Sequence, residues 1–213
     1  MKLNPKTVLV LAPHTDDGEF GCGGAVARFA EQGSRVISVA FSAAEQSVPD
    51  HLPRDILRTE VVEATRCLGI ADEDSLCLDF EVRRFPEFRQ QLLDRMIELN
   101  REYKPDLVFM PSSADTHQDH ETIRKEGFRA FKRTCILGYE APWNCLDFKT
   151  QGFVHLTEQQ LEKKIAAVDC FQSQAHRTYA NRDYLLGIAT MRGTQIGTRY
   201  AECFEVIRWT TEL

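Results

Sequence analysis

Residues 8–24 read VLVLAPHTDDGEFGCGG. The opening apolar run has almost no polar interruption, the pattern of a strand covered on both faces. It stops at Pro13. His14, Asp16 and Asp17 follow at once, and then a glycine-rich segment that reads as the start of a helix. Charged groups placed between a buried strand and a helix mark a β-α unit. In open parallel sheets, ligands bind beyond the carboxyl ends of such strands.

Working outward, strand-length apolar runs alternate with longer helix-period segments. A strand over 7–12 leads into a helix over 19–33, with Gly33 as its stop. A strand over 35–42, a helix over 53–70, a strand over 75–80, a helix over 86–103, a strand over 105–112 and a helix over 119–133 follow. This order predicts an α/β fold, Rossmann-like, with a mostly parallel sheet, right-handed crossovers and helices on both faces. Beyond 133 the alternation loosens into a C-terminal extension. Strands are expected within 136–143 and 153–157, a helix over 157–174 with Thr157 as its N-cap, and a last strand over 201–209. No linker-like tract interrupts the 213 residues, which read as a single domain, 1–213.

Composition narrows the function. The chain is 43% hydrophobic and 27% charged, as in an ordinary globular protein. Its net charge of −6 argues against a general nucleic-acid or anionic-membrane binder, which needs a basic surface. The N-terminal apolar run is too short for a membrane span. The seven cysteines are scattered and form no CxxC pair, so they read as small buried hydrophobes of a reducing compartment. A cytoplasmic protein is expected, and an assembly of identical chains is compatible with the sequence.

Two polar clusters fall at strand ends: PHTDD after the first strand, and SSADTHQDH, with His117, Asp119 and His120, after the fourth. In a doubly wound sheet these two strands can be neighbours across the switch point, so the clusters can face each other. Imidazoles and a carboxylate together suit a catalytic zinc site, which keeps one position for water. Adjacent aspartates in a turn point in different directions, so one can ligate while the other serves as a base. His117 and His120 are three apart, and one could ligate while the other acts on the substrate. GCGG lacks the GxGxxG spacing directly after the strand, so its glycines read as allowing close helix–sheet packing rather than nucleotide binding.

At these residues the chain resembles the PIG-L/LmbE superfamily of zinc-dependent sugar N-deacetylases. APHTDDGEFGCGG stands for that family's first motif and PSSADTHQDH for its second, and FQSQ and RGTQIGTRYAECFEV resemble its closing segments. Thr15 replaces the usual proline, and Gly18 takes the usual glutamate position, with Glu19 one step later. The resemblance implies one zinc ion per chain, held by His14, Asp17 and His120. It implies Asp16 as general base, His117 as oxyanion stabiliser or acid, and Asp119 as the group orienting His117. The implied reaction removes an N-acetyl group from a small-molecule amino-sugar conjugate and releases acetate. Mixed His/carboxylate donors also accept iron, cobalt or nickel. Another amide or ester metallohydrolase, or a non-catalytic sugar-binding protein, uses the same scaffold in competing readings.

Other residues carry weaker expectations. Trp143 could stack on a sugar ring, although a tryptophan is more often simply packed. Arg54, Arg58 and Arg192 could meet an anionic part of a substrate or be solvated charges, and Arg192 and Trp143 are taken as substrate-binding candidates. EVRRF (81–85) is expected to be a surface loop bordering the cleft, and His51, His155 and His176 have no partners at ligand spacing.

Overall fold

A computed structural model describes residues 4–210. Seven strands form one sheet, flanked by six helices of more than one turn among the described residues. In chain order these are β1 (Thr7–His14), α1 (Asp17–Glu31), β2 (Arg35–Ser42), α2 (Ile56–Cys67) and β3 (Ser75–Cys77). Then come α3 (Arg89–Tyr103), β4 (Leu107–Pro111), α4 (Gln118–Ala130), β5 (Cys135–Tyr139) and β6 (Gly152–Leu156). The chain closes with α5 (Glu158–Asp169), α6 (Arg182–Thr194) and β7 (Tyr200–Arg208).

The sheet order is β3-β2-β1-β4-β5-β7-β6. The first five strands of that order are parallel, and β7 runs antiparallel to both β5 and β6. The α/β architecture expected from the alternating pattern is the one observed. Strands β1 and β4 are hydrogen-bonded neighbours, with Val8 opposite Leu107 and Val10 opposite Phe109. The chain order reverses between them, so a crevice opens at their carboxyl ends. The β1 run is apolar throughout because both of its faces are covered. Val8 and Val10 pack with α1 and α2, while Leu9 and Leu11 pack with α3 and α4.

The C-terminal third departs most from expectation. Helix α6 spans a region that carried no expected element. Glycines at 187 and 193 and a weak apolar stripe hide it, and its packing on β7 and α5 supplies what local propensity does not. The strand expected within 136–143 ends at Tyr139, and the third strand shortens to Ser75–Cys77. Thr157 does cap α5: its hydroxyl accepts from Gln160 N–H, and the Gln160 side chain accepts from Thr157 N–H.

Helix α1 is two helical segments joined at Cys22, whose φ of −145° and ψ of 17° are not helical. A buried ion pair, Lys164–Glu202 at 2.6 Å, satisfies the groups freed by the break. Lys164 Nζ donates to Phe20 C=O, and the two Glu202 oxygens accept from Gly24 and Ala25 N–H. The new segment thus begins against a carboxylate, as helix N-termini favour. Close packing of α1 depends on its glycines: a Cβ on Gly21 would lie 2.3 Å from the Tyr139 ring, and one on Gly24 would lie 2.5 Å from Leu156. Among the described residues, no helix is long and apolar enough to cross a membrane.

Lys164 and Glu202 are 4% and 6% exposed. Removing one partner leaves the other charge buried, and it also leaves backbone groups of α1 unpaired. Glu202→Ala should therefore destabilise the fold by about 3–5 kcal/mol, read as a drop in the urea midpoint. An unchanged midpoint would show that the pair does not hold the helix break.

Candidate functional site

His14 is the last residue of β1, and Asp16 and Asp17 open α1. Across the switch point, β4 ends at Pro111 and α4 begins at Gln118, so residues 112–120 face the end of β1. The two polar clusters meet there. The ligand nitrogens of His14, His117 and His120 all lie within 4.8 Å of one another, and the three residues form a candidate metal site.

Asp17 joins the group. Its Oδ2 lies 3.2 Å from His14 Nδ1 and 3.3 Å from His120 Nε2, and it also accepts from His14 N–H at 2.8 Å. The far side of each imidazole rests on a buried carboxylate. His14 Nε2 meets Asp119 Oδ2 at 3.0 Å, and His120 Nδ1 meets Asp115 Oδ2 at 2.7 Å. These contacts fix the ring orientations and direct His14 Nδ1 and His120 Nε2 at Asp17. Carboxylates behind ligating histidines are the arrangement that metal sites use.

Asp119 differs from the role that the resemblance implied. Its carboxylate does not orient His117. Oδ2 also accepts from Arg83 N–H at 2.6 Å, and Oδ1 accepts from Phe85 N–H at 3.2 Å, so the group ties α4 to β1 and to the loop after β3. Only the Asp119 backbone meets His117, donating its N–H to His117 Nδ1 at 3.2 Å. The reason is positional. His117 is not in the helix but is its N-cap, with extended backbone and a ring folded back on the first turn. Asp119, inside that turn, points its side chain back toward the sheet.

The electrostatics follow from crowded carboxylates. Burial alone would lower His120, but the charge of Asp17 and the hydrogen bonds with Asp115 and Asp17 outweigh it and push the imidazole up to about 10. His14 is raised in the same way: burial opposes, and contacts with Asp119 and Asp17 prevail. Asp17, for which burial is again the opposing effect, is held well below the usual carboxylate range by His120 and His14. The buried carboxylates favour the charged form of both imidazoles, a balance that a divalent cation can take over. His117 is lowered by burial and by the neighbouring His120 and His14. Asp16 is raised by burial and by Asp17, against the opposing charge of Arg177. Burial pushes Glu19 up to about 8.

The site opens into a cavity of about 230 Å³ lined by His14, Asp16, Asp17, His117 and His120, together with Arg83, Trp143, Arg177 and Tyr179. Asp16 makes no side-chain hydrogen bond or ion pair to the described residues and is partly open to the cavity. Trp143 lines this cavity at 36% exposure, stacked on Tyr179 with ring centroids 3.8 Å apart and planes 6° off parallel. Phe20 stands edge-on to both rings.

Arg192 is not brought to the site. It lies in α6, 9% exposed, with its guanidinium paired to Glu140 and over the Phe148 ring. Arg54 pairs with Asp50, and Arg58 with Glu45 and Asp79. The loop EVRRF borders the cavity as expected and brings Arg83 to it, whereas sequence reasoning missed Asp115, Arg177 and Tyr179. Asp115 carried a signal in its place two residues before His117, whereas Arg177 and Tyr179 reach the cavity from a loop far along the chain.

Comparisons with known proteins agree with this architecture. The sequence pattern of the family described as PIG-L: GlcNAc-PI de-N-acetylase matches residues 9–131, more than half of the chain. The uncharacterized deacetylase YaiS of Escherichia coli is 26% identical over 170 residues, covering 76% of this chain and 89% of YaiS. The 4-oxalmesaconate hydratase of Pseudomonas putida is 25% identical over 223 residues, covering 92% and 83% of the two chains. The structure of N,N'-diacetylchitobiose deacetylase from Pyrococcus horikoshii superposes with a TM-score of 0.75 at 23% identity, over 96% of this chain and 84% of that one, and so shares the fold.

The carboxylate behind His14 has a measurable consequence. Asp119→Ala should weaken divalent-metal binding by about 10–100-fold, read by competition with a chromophoric chelator. Unchanged affinity would mean that Asp119 does not orient a ligand.

Proposed function

Since the chain belongs to the PIG-L, GlcNAc-PI de-N-acetylase, family, we propose that it is a zinc-dependent hydrolase that removes an N-acetyl group from an amino-sugar-containing small molecule and releases acetate. One observation carries the reading: a single Asp17 oxygen lies 3.2 and 3.3 Å from nitrogens of His14 and His120, with the unpartnered Asp16 beside it. Donors about 2.05 Å from a tetrahedral zinc are about 3.3 Å apart, so these three groups suit one ion. His117 suits a different task. Its Nδ1 accepts a backbone N–H, which leaves the proton of the neutral ring on Nε2, a donor rather than a ligand.

His14, Asp17 and His120 would hold the zinc, which would supply a Lewis acid to acidify the attacking water and polarise the acetamide carbonyl. The chain's own residues do the rest. Asp16, raised above the usual carboxylate range by burial and by Asp17, takes a proton from the water that attacks the carbonyl carbon. His117, held neutral by its lowered pKa, offers its Nε2–H to the developing oxyanion. Asp119 keeps the His14 ring in orientation, and Asp115 does the same for His120. The C–N bond breaks as the nitrogen receives a proton from Asp16 or His117, and amine and acetate leave. The stacked Trp143–Tyr179 pair gives the cavity an aromatic wall suited to a sugar ring.

Asp16→Asn should lower kcat by about 10²–10⁴-fold with zinc content unchanged by elemental analysis, whereas His120→Ala should lose the metal. If Asp16→Asn lost its zinc and His120→Ala kept it, the roles would be wrongly assigned. Acetate release from N-acetylglucosamine conjugates, abolished by a chelator and restored by zinc, tests the reaction itself. Hydration of a double bond, the reaction class named for the Pseudomonas relative, releases no acetate and would be told apart by that assay.

A further inference from the structure

Two guanidiniums line the cavity, and neither makes an ion pair among the described residues: Arg83, in the loop after β3, and Arg177, in the loop before α6. Shortage of carboxylates is not the reason. The chain has 32 acidic against 26 basic residues, and Arg35, Arg58, Arg84 and Arg192 each hold a carboxylate elsewhere. The hydrogen bonds that position both guanidiniums come from neutral groups, although the charge of Arg177 also faces Asp16 across the cavity. Arg83 Nη2 reaches Ser47 Oγ at 3.3 Å. Arg177 donates from Nε to Gln174 Oε1 at 2.6 Å and from Nη1 to the Tyr179 hydroxyl, and its Nη2 has no protein partner.

The backbone of Arg83 is also specialised. Its φ of 72° lies in the left-handed region, which a non-glycine residue adopts only when its surroundings hold it there. Here the holding contact is the N–H of Arg83 on Asp119 Oδ2, the same oxygen that meets His14 Nε2. The carboxylate that orients an imidazole of the site therefore also sets where Arg83 enters the cavity.

Resting on the deacetylase reading, we propose that the substrate carries an anionic group, a carboxylate or a phosphate, and that Arg83 and Arg177 bind it. A planar guanidinium fork matches both anions, and it is chosen where such groups are read at a wall. Trp143 and Tyr179 then face the sugar ring, and the two arginines select among acetylated sugars by their charge.

The test compares N-acetylglucosamine and diacetylchitobiose, both neutral, with N-acetylglucosamine 6-phosphate and N-acetylmuramic acid, which carry a phosphate and a carboxylate. Turnover is measured with the zinc-loaded wild type, Arg83→Gln, Arg177→Gln and Arg177→Lys. Binding of the same compounds to zinc-loaded Asp16→Asn, with and without each arginine substitution, is measured by calorimetry. At least one anionic compound should exceed both neutral ones about tenfold or more in kcat/KM. Each Gln variant should raise KM for that compound about 10–100-fold more than for the neutral ones, Arg83→Gln should leave the neutral ones within twofold, and Lys at 177 should restore part of the loss. The anion preferred identifies which group the substrate bears. If no compound releases acetate but an anionic one binds in an arginine-dependent way, the deacetylase reading falls and anion recognition stands. Neutral compounds handled as well as both anionic ones, equal losses for all compounds in the Gln variants, or no binding of either anionic compound would each overturn the proposal.

Discussion

The contact between His14 Nε2 and Asp119 Oδ2 joins the last residue of β1 to the first turn of α4, 105 positions along the chain. Everything that the site can do rests on it. Asp119 is fully buried, so its charge persists only because an imidazole and two backbone N–H groups surround it. In satisfying that one carboxylate, the fold brings three segments together: the strand end that bears His14, the helix that bears His120, and the loop that bears Arg83. Asp115 repeats the device on His120 and, through its other oxygen, on the backbone N–H of His117. The result is a set of rings whose outer nitrogens are occupied and whose inner nitrogens converge on Asp17.

Helix α1 supplies the other wall, and its geometry comes from deep in the core. The first helical segment is short because Cys22 leaves the helical region, and the interruption is tolerated because Lys164 and Glu202 satisfy the groups on either side. Gly21 lets the segment come against the Tyr139 ring, and the Tyr139 hydroxyl in turn donates to the carbonyl of Leu11 in β1. Strand β1, strand β5 and helix α1 are thereby locked as one unit, and Asp16 and Asp17 start from a fixed position at the strand end. Polar groups borne on rigid elements need little reorganisation when a ligand arrives.

Charge is distributed in the cavity so that neighbours have opposite tasks. Asp17 is forced to stay ionised, whereas Asp16, one residue away, is pushed toward holding a proton. His120 is raised and His117 is lowered, three positions apart on the same turn. Such divergence between adjacent groups is how acid, base and ligand roles are separated. The aromatic stack and the two unpaired arginines surround this centre without touching its hydrogen-bond network, apart from the backbone of Arg83.

Much of this was legible in one dimension. An unbroken apolar run ending in His14, Asp16 and Asp17 is a local pattern, and local patterns carry the period and the burial of a strand and the chemistry of the groups after it. The β-α alternation allowed β1 and β4 to be neighbours across a switch point, and the structure makes them so. Helix α6 was not legible, since its glycines weaken the local preference and its stability comes from contacts with β7 and α5. Nor was the partner of Asp119: only Gln118 separates it from His117 in sequence, but helix geometry turns its side chain away toward β1. Arg177 and Arg192 are similar residues in the same loosely patterned stretch, yet one lines the cavity and the other is buried against Glu140. Which arginine finds a carboxylate depends on distances between segments far apart in the chain, and packing in three dimensions alone sets those distances.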